Sequence, residues 1–318
     1  MHPLYPAIKP YRCHTLAVGK THLLHIEETG NPGGIPVIAL HQGPGAGGNP
    51  HLRRFFDPEL YRIVLFDQRG SGQSTPHFAL EENTTAHLIQ DIDAIAAFLN
   101  LPSFILFGGG WGALLALLYA QAHPETVSTL LLYQIFLGRK KEVDWFYKQG
   151  TNLFYPDYWQ EFIDFVPLKK RQHVLQYYTD CLQGNYDILR MGAAKNWALW
   201  QLRCSSLQPH PAVIEQYNDP HFALSLAILE SYYLKNHYFI EENQVLSHIE
   251  KIQHIPTFLI HGRQDMISPL DSAYTLHQAL PHSHLRIVEA GHSEQEPGLI
   301  DAIVDISKAL SHQGLDVS

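Results

Sequence analysis

The sequence has little cysteine, little basic charge and no long apolar run, and each shortage argues against a class of protein. Its three cysteines lie far apart without a C-x-x-C pair, which favours free thiols over a disulfide framework. No apolar run is long enough to span a bilayer, and the first residues lack a basic segment followed by an apolar one. Acidic residues outnumber basic ones by 31 to 22, which gives a net charge of -9 and argues against a nucleic-acid partner. We therefore expect a cytoplasmic protein with neither a nucleic-acid nor a membrane partner.

Patterns for a metal or a nucleotide cofactor are also missing. None of the 21 histidines stands in an H-E-x-x-H motif, and His282 and His284 form only an H-x-H pair beside a proline. Residues 108–113 formally match the dinucleotide fingerprint G-x-G-x-x-A, but they follow several strands instead of the first one. The next predicted strand also ends without an acidic residue. No metal and no cofactor are expected.

The chain of 318 residues is 45% hydrophobic and 17% charged, so it can bury a large core. Residues 12–28 read as a hairpin. Continuous apolar runs predict buried strands at residues 36–40, 62–66, 104–107, 127–133, 256–260 and 284–288, with helices between them. Residues 139–247 lack such runs and read as helical. We expect an α/β protein with a mostly parallel sheet, whose core comprises residues 1–138 and 248–318 and carries a helical cap at 139–247.

The most informative segment is Gly-Gly-Gly-Trp-Gly at residues 108–112. It follows a predicted strand and precedes a helix rich in alanine and leucine. A sharp strand–turn–helix with glycines two before and two after its apex is the nucleophile elbow, G-x-S-x-G. The apex should be serine, and here it is Gly110. The segment has the frame of a hydrolase elbow without its nucleophile.

Three further segments stand where an α/β-hydrolase places its working parts. Residues 41–45 follow a strand, as does the loop that donates one oxyanion-hole N–H, and the N–H after the elbow apex would be the second donor. Asp265 and His292 each follow a later strand, and elbow, acid and histidine come in the chain order of this fold. Asp265 could instead cap the turn at residues 267–268, and His292 could be a packed or capping histidine.

Together these motifs resemble the proline iminopeptidases, a family of α/β-hydrolase-fold serine peptidases. The resemblance rests on H-x-G-P-G at 41–45, F-D-Q-R-G-x-G at 66–72, G-G-x-W-G at 108–112, W-x-x-W at 197–200 and G-H-S-x-x-E-P at 291–297. It implies an α/β-hydrolase fold with an inserted cap and, as the family reaction, release of an N-terminal proline from peptides. It also implies a role for each of five core residues: the acid Asp265, the base His292, the oxyanion donors Gly43 and Trp111, and Gly110 at the nucleophile position.

The same resemblance suggests substrate-binding residues in and near the cap. The family motif W-x-x-W-E supplies a carboxylate for the free amino terminus of the substrate, but here the fifth position is Gln201. A second carboxylate survives as Glu230, unless that residue is a solvated helix position. The remaining candidates are Phe136 and the pair Trp197 and Trp200, which could equally be cap core.

Other departures from the family pattern are Gln42 for glycine and Tyr133–Gln134 for Arg-Gly. A single artificial replacement of the serine would leave recognition residues unchanged, so this spread favours divergence after activity was lost. Three functions stay open: an impaired proline iminopeptidase, a non-catalytic protein that binds a small peptide, an amine or a partner protein in the old pocket, and a His–Asp enzyme that acts through water. A ligand with a free N-terminus is expected, and the oligomeric state is not indicated.

Overall fold

One sheet of eight strands carries the fold of residues 2–207 and 210–313, the part of the chain that the computed structural model describes. The strands lie in the order β1-β2-β4-β3-β5-β6-β7-β8. Their bounds are β1 Arg12–Val18, β2 His22–Gly30, β3 Ile35–Leu40, β4 Tyr61–Phe66, β5 Phe104–Gly110, β6 Val127–Ile135, β7 Thr257–Gly262 and β8 His284–Val288.

The strand directions follow from the connections. The short turn after β1 makes a hairpin, and β2 also pairs antiparallel with β4, whereas all pairs from β4 to β8 are parallel. The central strands β3 to β6 are almost entirely buried, because helices cover both faces of a parallel sheet. The predicted α/β fold with a mostly parallel sheet is confirmed.

Helices connect the parallel strands and fill the segment between β6 and β7. The predicted strands after the hairpin all form, and the helix after the elbow begins at Trp111, directly behind the apex. The helices are α1 Thr85–Phe98, α2 Trp111–Ala122, α3 Lys140–Tyr147, α4 Thr151–Phe154, α5 Pro156–Asp164, α6 Val174–Gln183, α7 Asp187–Ser205, α8 Pro211–Asn218, α9 Pro220–Lys235, α10 Gln244–Ser247, α11 Leu270–Ala279 and α12 Pro297–Gln313.

The segment between β6 and β7 contains helices and loops but no strand among the residues that the structure describes. Its interior is an aromatic cluster, in which the rings of Phe162 and Tyr178 stack with centroids 4.4 Å apart. The division into a core at 1–138 and 248–318 and a cap at 139–247 stays a prediction. Helical turns continue as far as Ile252.

The carboxyl ends of β3, β5, β7 and β8 meet at one edge of the sheet, and two hydrogen bonds tie the helical segment to loops there. Ser225 of α9 donates its hydroxyl to the carbonyl of Gly45, which follows β3, at 2.7 Å. The backbone N–H of His292, which follows β8, donates to the carbonyl of Ser205 at the end of α7, also at 2.7 Å. In open α/β sheets, ligands bind at this edge. No helix in the described residues is long and apolar enough to cross a membrane.

Candidate active site

Glycine is required at two of the elbow positions by steric contact, whereas the apex is open. A Cβ on Gly112 would lie 2.4 Å from the carbonyl oxygen of Leu40, and one on Gly108 would lie 2.7 Å from the backbone of Gly112. A Cβ on Gly110 would meet only the imidazole of His292, 3.8 Å from its Nε2. Gly110 has φ 55° and ψ -118°, a backbone conformation that other residues adopt at a cost. The apex therefore has space for a side chain, and that space faces His292.

Asp265 and His292 form a hydrogen-bonded pair beside this space. Nδ1 of His292 lies 2.8 Å from Oδ2 of Asp265, and a carboxylate can only accept there, so Nδ1 donates and Nε2 is left as the acceptor. Oδ1 of Asp265 accepts the backbone N–H groups of Ile267 at 2.9 Å and Ser268 at 2.8 Å. Asp265 thus caps its turn and orients the histidine at once.

The electrostatics of the pair keep Asp265 ionised. Its burial alone would raise the pKa of this carboxyl, but the charge and hydrogen bond of His292, then His261 and the Ser268 N–H, outweigh burial and hold the pKa below its ordinary value. His261 is neutral, since burial lowers its pKa and its Nδ1 accepts the N–H of Ile135 at 3.0 Å. An ionised acid that holds an imidazole through Nδ1 is the arrangement of a catalytic His–Asp pair.

A cavity of about 90 Å³ joins the elbow to the helical segment. As the first residue of α2, Trp111 has a backbone N–H without an acceptor inside the helix. Its role and that of Gly43 as oxyanion donors stay predictions. Seven of the predicted site residues line this cavity: Gly43, Gly110, Trp111, Phe136, Gln201, Glu230 and His292.

Glu230 lines the same cavity and is surrounded by donors. Trp197 donates Nε1–H to Oε2 at 2.8 Å, the Tyr147 hydroxyl donates to Oε1 at 3.1 Å, and Gln201 donates its amide to Oε2. Burial raises the pKa of Glu230 to about 7, although these three hydrogen bonds oppose the shift. Glu230 is therefore not a solvated helix residue but an enclosed, hydrogen-bonded carboxyl group.

The role of Trp200 in substrate binding stays a prediction, and its position favours the alternative that it belongs to the interior of the helical segment. Trp200 is 2% exposed and does not line the cavity; its ring packs on Phe146 and Phe162 inside the aromatic cluster. Trp197, one helical turn earlier, also lies outside the lining, but its Nε1 reaches Glu230. The two tryptophans lie on one side of α7 and serve different purposes, because only Trp197 points its N–H toward the carboxylate.

Two residues at the site escaped the sequence analysis. Tyr147 lines the cavity and donates to Glu230, but nothing local to its sequence marks it. Glu294 accepts amide donors from Gln42 at 3.3 Å and Asn49 at 3.4 Å. Its position, two residues after His292, was a usable signal, because it brings an acid to the loop of a candidate base.

A metal-type grouping in the described residues lies elsewhere, on the β1–β2 hairpin. Potential ligand atoms of Cys13, His25 and Glu27 are within 4.8 Å of one another. Glu27 is already paired with the guanidinium of Arg53. A positive charge on one ligand opposes binding of a cation, so this grouping gives no reason to assign a metal.

Comparison with known proteins identifies the family. The family model described as alpha/beta hydrolase fold matches residues 35–299. A proline iminopeptidase of Arabidopsis thaliana is 44% identical over 304 residues, which cover 95% of this chain and 80% of that protein. The chain belongs to the proline iminopeptidase family.

Further relatives agree, and the solved structures support the fold. A proline iminopeptidase of Xylella fastidiosa is 43% identical over 306 residues, covering 96% of this chain and 98% of that protein. An esterase from Rhodococcus sp. ECU1013 matches with a TM-score of 0.64 at 17% identity over 95% of this chain and 98% of its own. An esterase from Thermogutta terrifontis matches with a TM-score of 0.63 at 16% identity over 98% of this chain and 99% of its own. At these identities the likeness is one of fold alone.

Proposed function

We propose that this member of the proline iminopeptidase family binds a short peptide or amine with a free N-terminus and does not form the family's acyl-enzyme. The observation that carries the proposal is the space at Gly110, where a Cβ would lie 3.8 Å from Nε2 of His292. A serine there would present its hydroxyl to the histidine. Without it, His292 has no protein hydroxyl to deprotonate and no covalent intermediate forms.

The binding half of the cavity supports retention of a ligand. Glu230 is the carboxyl group that can accept a ligand's amino terminus, and Phe136 contributes apolar wall beside it. Gln201 stands where the family motif has a second carboxylate, and its amide donates to Glu230 instead. Because a hydrogen bond to a charged group is about twice as strong as a neutral one, the ammonium is held less tightly than between two carboxylates.

A slow hydrolase that acts through water is the second candidate. The Asp265–His292 pair is assembled, and Nε2 of His292 faces open cavity, where a water can lie. Binding and an oxyanion hole without a nucleophile give about 10³–10⁴-fold acceleration over water, far below a complete triad.

The test is titration calorimetry of the purified protein with prolinamide at pH 8, where Glu230 is ionised. We expect saturable binding, a ligand recovered unchanged, and binding at least about tenfold weaker in Glu230→Ala. The matched control is Glu289→Ala, which removes an exposed carboxylate outside the cavity. Hydrolysis of prolinamide at rates that Gly110→Ala leaves unchanged but His292→Ala abolishes would favour the water mechanism. Absence of binding would overturn the proposal.

A further inference from the structure

A second cavity of about 50 Å³ adjoins the first at His292. Four residues line both cavities: Gln42, Ala46, Tyr217 and His292. In a triad hydrolase the histidine returns its proton to the leaving group, so the part of a peptide after its first residue lies on the histidine's side. The second cavity is therefore placed to receive that part of a ligand.

Two of its lining residues, Gln42 and Tyr133, depart from the family pattern, and Gln134, a third departure, lies behind the lining in contact with Gln42. Gln42 donates its amide to Oε1 of Gln134 at 2.5 Å and to Oε2 of Glu294 at 3.3 Å. Tyr133 lines the cavity with its ring packed under Gly109, where a Cβ would lie 2.2 Å from the ring. Residues distant in the chain have changed at a single place in the fold.

Two donors in this cluster lack an acceptor. The hydroxyl of Tyr133 and Nε2 of Gln134 are fully buried and donate to no group within the described residues. Gln134 also has φ 51°, a left-handed conformation that residues other than glycine adopt at a cost. Buried unpaired donors cost stability, and a ligand that brings an acceptor into the cavity would satisfy the hydroxyl of Tyr133.

The carboxylate of Glu294 determines which ligands fit. Within the described residues it accepts its own backbone N–H and two long side-chain hydrogen bonds, at 3.3 and 3.4 Å, and a carboxylate with about four acceptor sites has capacity for a further N–H. A carboxamide supplies both a carbonyl acceptor and N–H donors, and a space of about 50 Å³ holds a group of that size, since one water needs about 10–15 Å³. A ligand carboxylate would instead meet Glu294 as a like charge.

Resting on the proposed function, we propose that this second cavity is a subsite for the group that follows the ligand's first residue, and that Glu294 selects an uncharged amide over a free carboxylate. The preferred ligand class is then a short peptide with a blocked carboxyl end. Tyr133 donates to the ligand carbonyl, and Glu294 accepts its N–H.

The experiment compares three ligands by calorimetry at pH 8: prolinamide, which ends before the second cavity, prolyl-glycinamide, and prolyl-glycine with its free carboxylate. We expect prolyl-glycinamide to bind about tenfold more tightly than prolyl-glycine. Glu294→Gln should reduce that ratio to within about threefold, and the matched control Glu289→Gln should preserve it. Prolinamide should bind equally to all three proteins.

Tyr133→Phe gives an independent test, because it removes a buried hydroxyl that has no acceptor within the described residues. We expect a higher melting temperature together with about threefold weaker binding of prolyl-glycinamide and unchanged binding of prolinamide. If prolinamide binds but both dipeptides bind alike in every variant, the subsite is wrong and the proposed function stands. If none of the three ligands binds, both are wrong.

Discussion

The elbow and the Gln201–Glu230 pair both depart from the family pattern, but in different ways. At the elbow glycine stands at the nucleophile position, and Asp265 is 2.8 Å from His292, whose Nε2 faces the open space. In the pair, Gln201 stands where the family motif has a carboxylate, and its amide donates to Glu230. Glycine at the apex leaves the Asp265–His292 pair in place, whereas the isosteric amide of Gln201 forms a hydrogen bond of its own. The elbow is therefore the easier of the two to restore.

The largest effect is expected at the glycines that surround the elbow apex. Gly112→Ala forces a methyl to within 2.4 Å of the Leu40 carbonyl oxygen and should cost about 4 kcal/mol or more of unfolding free energy. Gly110→Ala meets no atom closer than 3.8 Å and should cost only the strain of its positive φ, about 1–3 kcal/mol. Urea denaturation of both variants measures the difference between their unfolding free energies. Equal losses would mean that the apex is not open.

The second prediction concerns the charge of Glu230, whose pKa is about 7 in the folded protein against an ordinary value of 4.5. Between these values the folded state keeps a proton that the unfolded chain has lost, so stability falls as pH rises through this window. Glu230 accounts for about 3 kcal/mol of this loss in unfolding free energy, and the loss is complete above pH 7. Denaturation of wild type and Glu230→Gln from pH 4 to pH 8 isolates it. The same change in stability with pH in both proteins would contradict a raised pKa of the Glu230 carboxyl group.

The third prediction concerns variants at the elbow apex and at Gln201. Gly110→Ser alone should give weak hydrolysis of a proline arylamide, because recognition of the ammonium is still impaired. Adding Gln201→Glu should lower KM about tenfold with little change in kcat, as expected for restored ground-state binding. The measurement is steady-state kinetics of the single and double variants. Full activity from Gly110→Ser alone would show that Gln201 does not limit binding.

The smallest effect separates two tryptophans of α7. Trp197→Phe removes the 2.8 Å hydrogen bond to Glu230 and should weaken prolinamide binding about three- to tenfold at pH 7, where the carboxyl group is half ionised. Trp200→Phe is the matched control, since its ring packs in the aromatic cluster away from the cavity. Calorimetry should find its affinity unchanged. Similar losses in both variants would indicate a general disturbance of α7.

Much of the core was predictable because a buried parallel sheet requires continuous apolar runs and its carboxyl ends converge. The elbow, Asp265 and His292 each follow such a run, so chain order alone placed them together. The cap was less predictable. Trp197 and Trp200 share a helical periodicity that cannot tell which ring faces a cavity, and only the packing of α7 on α9 brings Gln201 to Glu230. The contact of Gln42 with Gln134 likewise depends on tertiary structure across 92 positions.

The most direct test of the central claim is the intact mass of the protein after treatment with a serine-reactive fluorophosphonate. Wild type should gain no mass, because no nucleophile faces His292. Gly110→Ser should gain one phosphonyl group, and Gly110→Ser with His292→Ala should gain none, because the histidine activates the serine. Stoichiometric labelling of wild type, or an unreactive Gly110→Ser variant that is folded, would contradict an intact catalytic frame that lacks only its nucleophile.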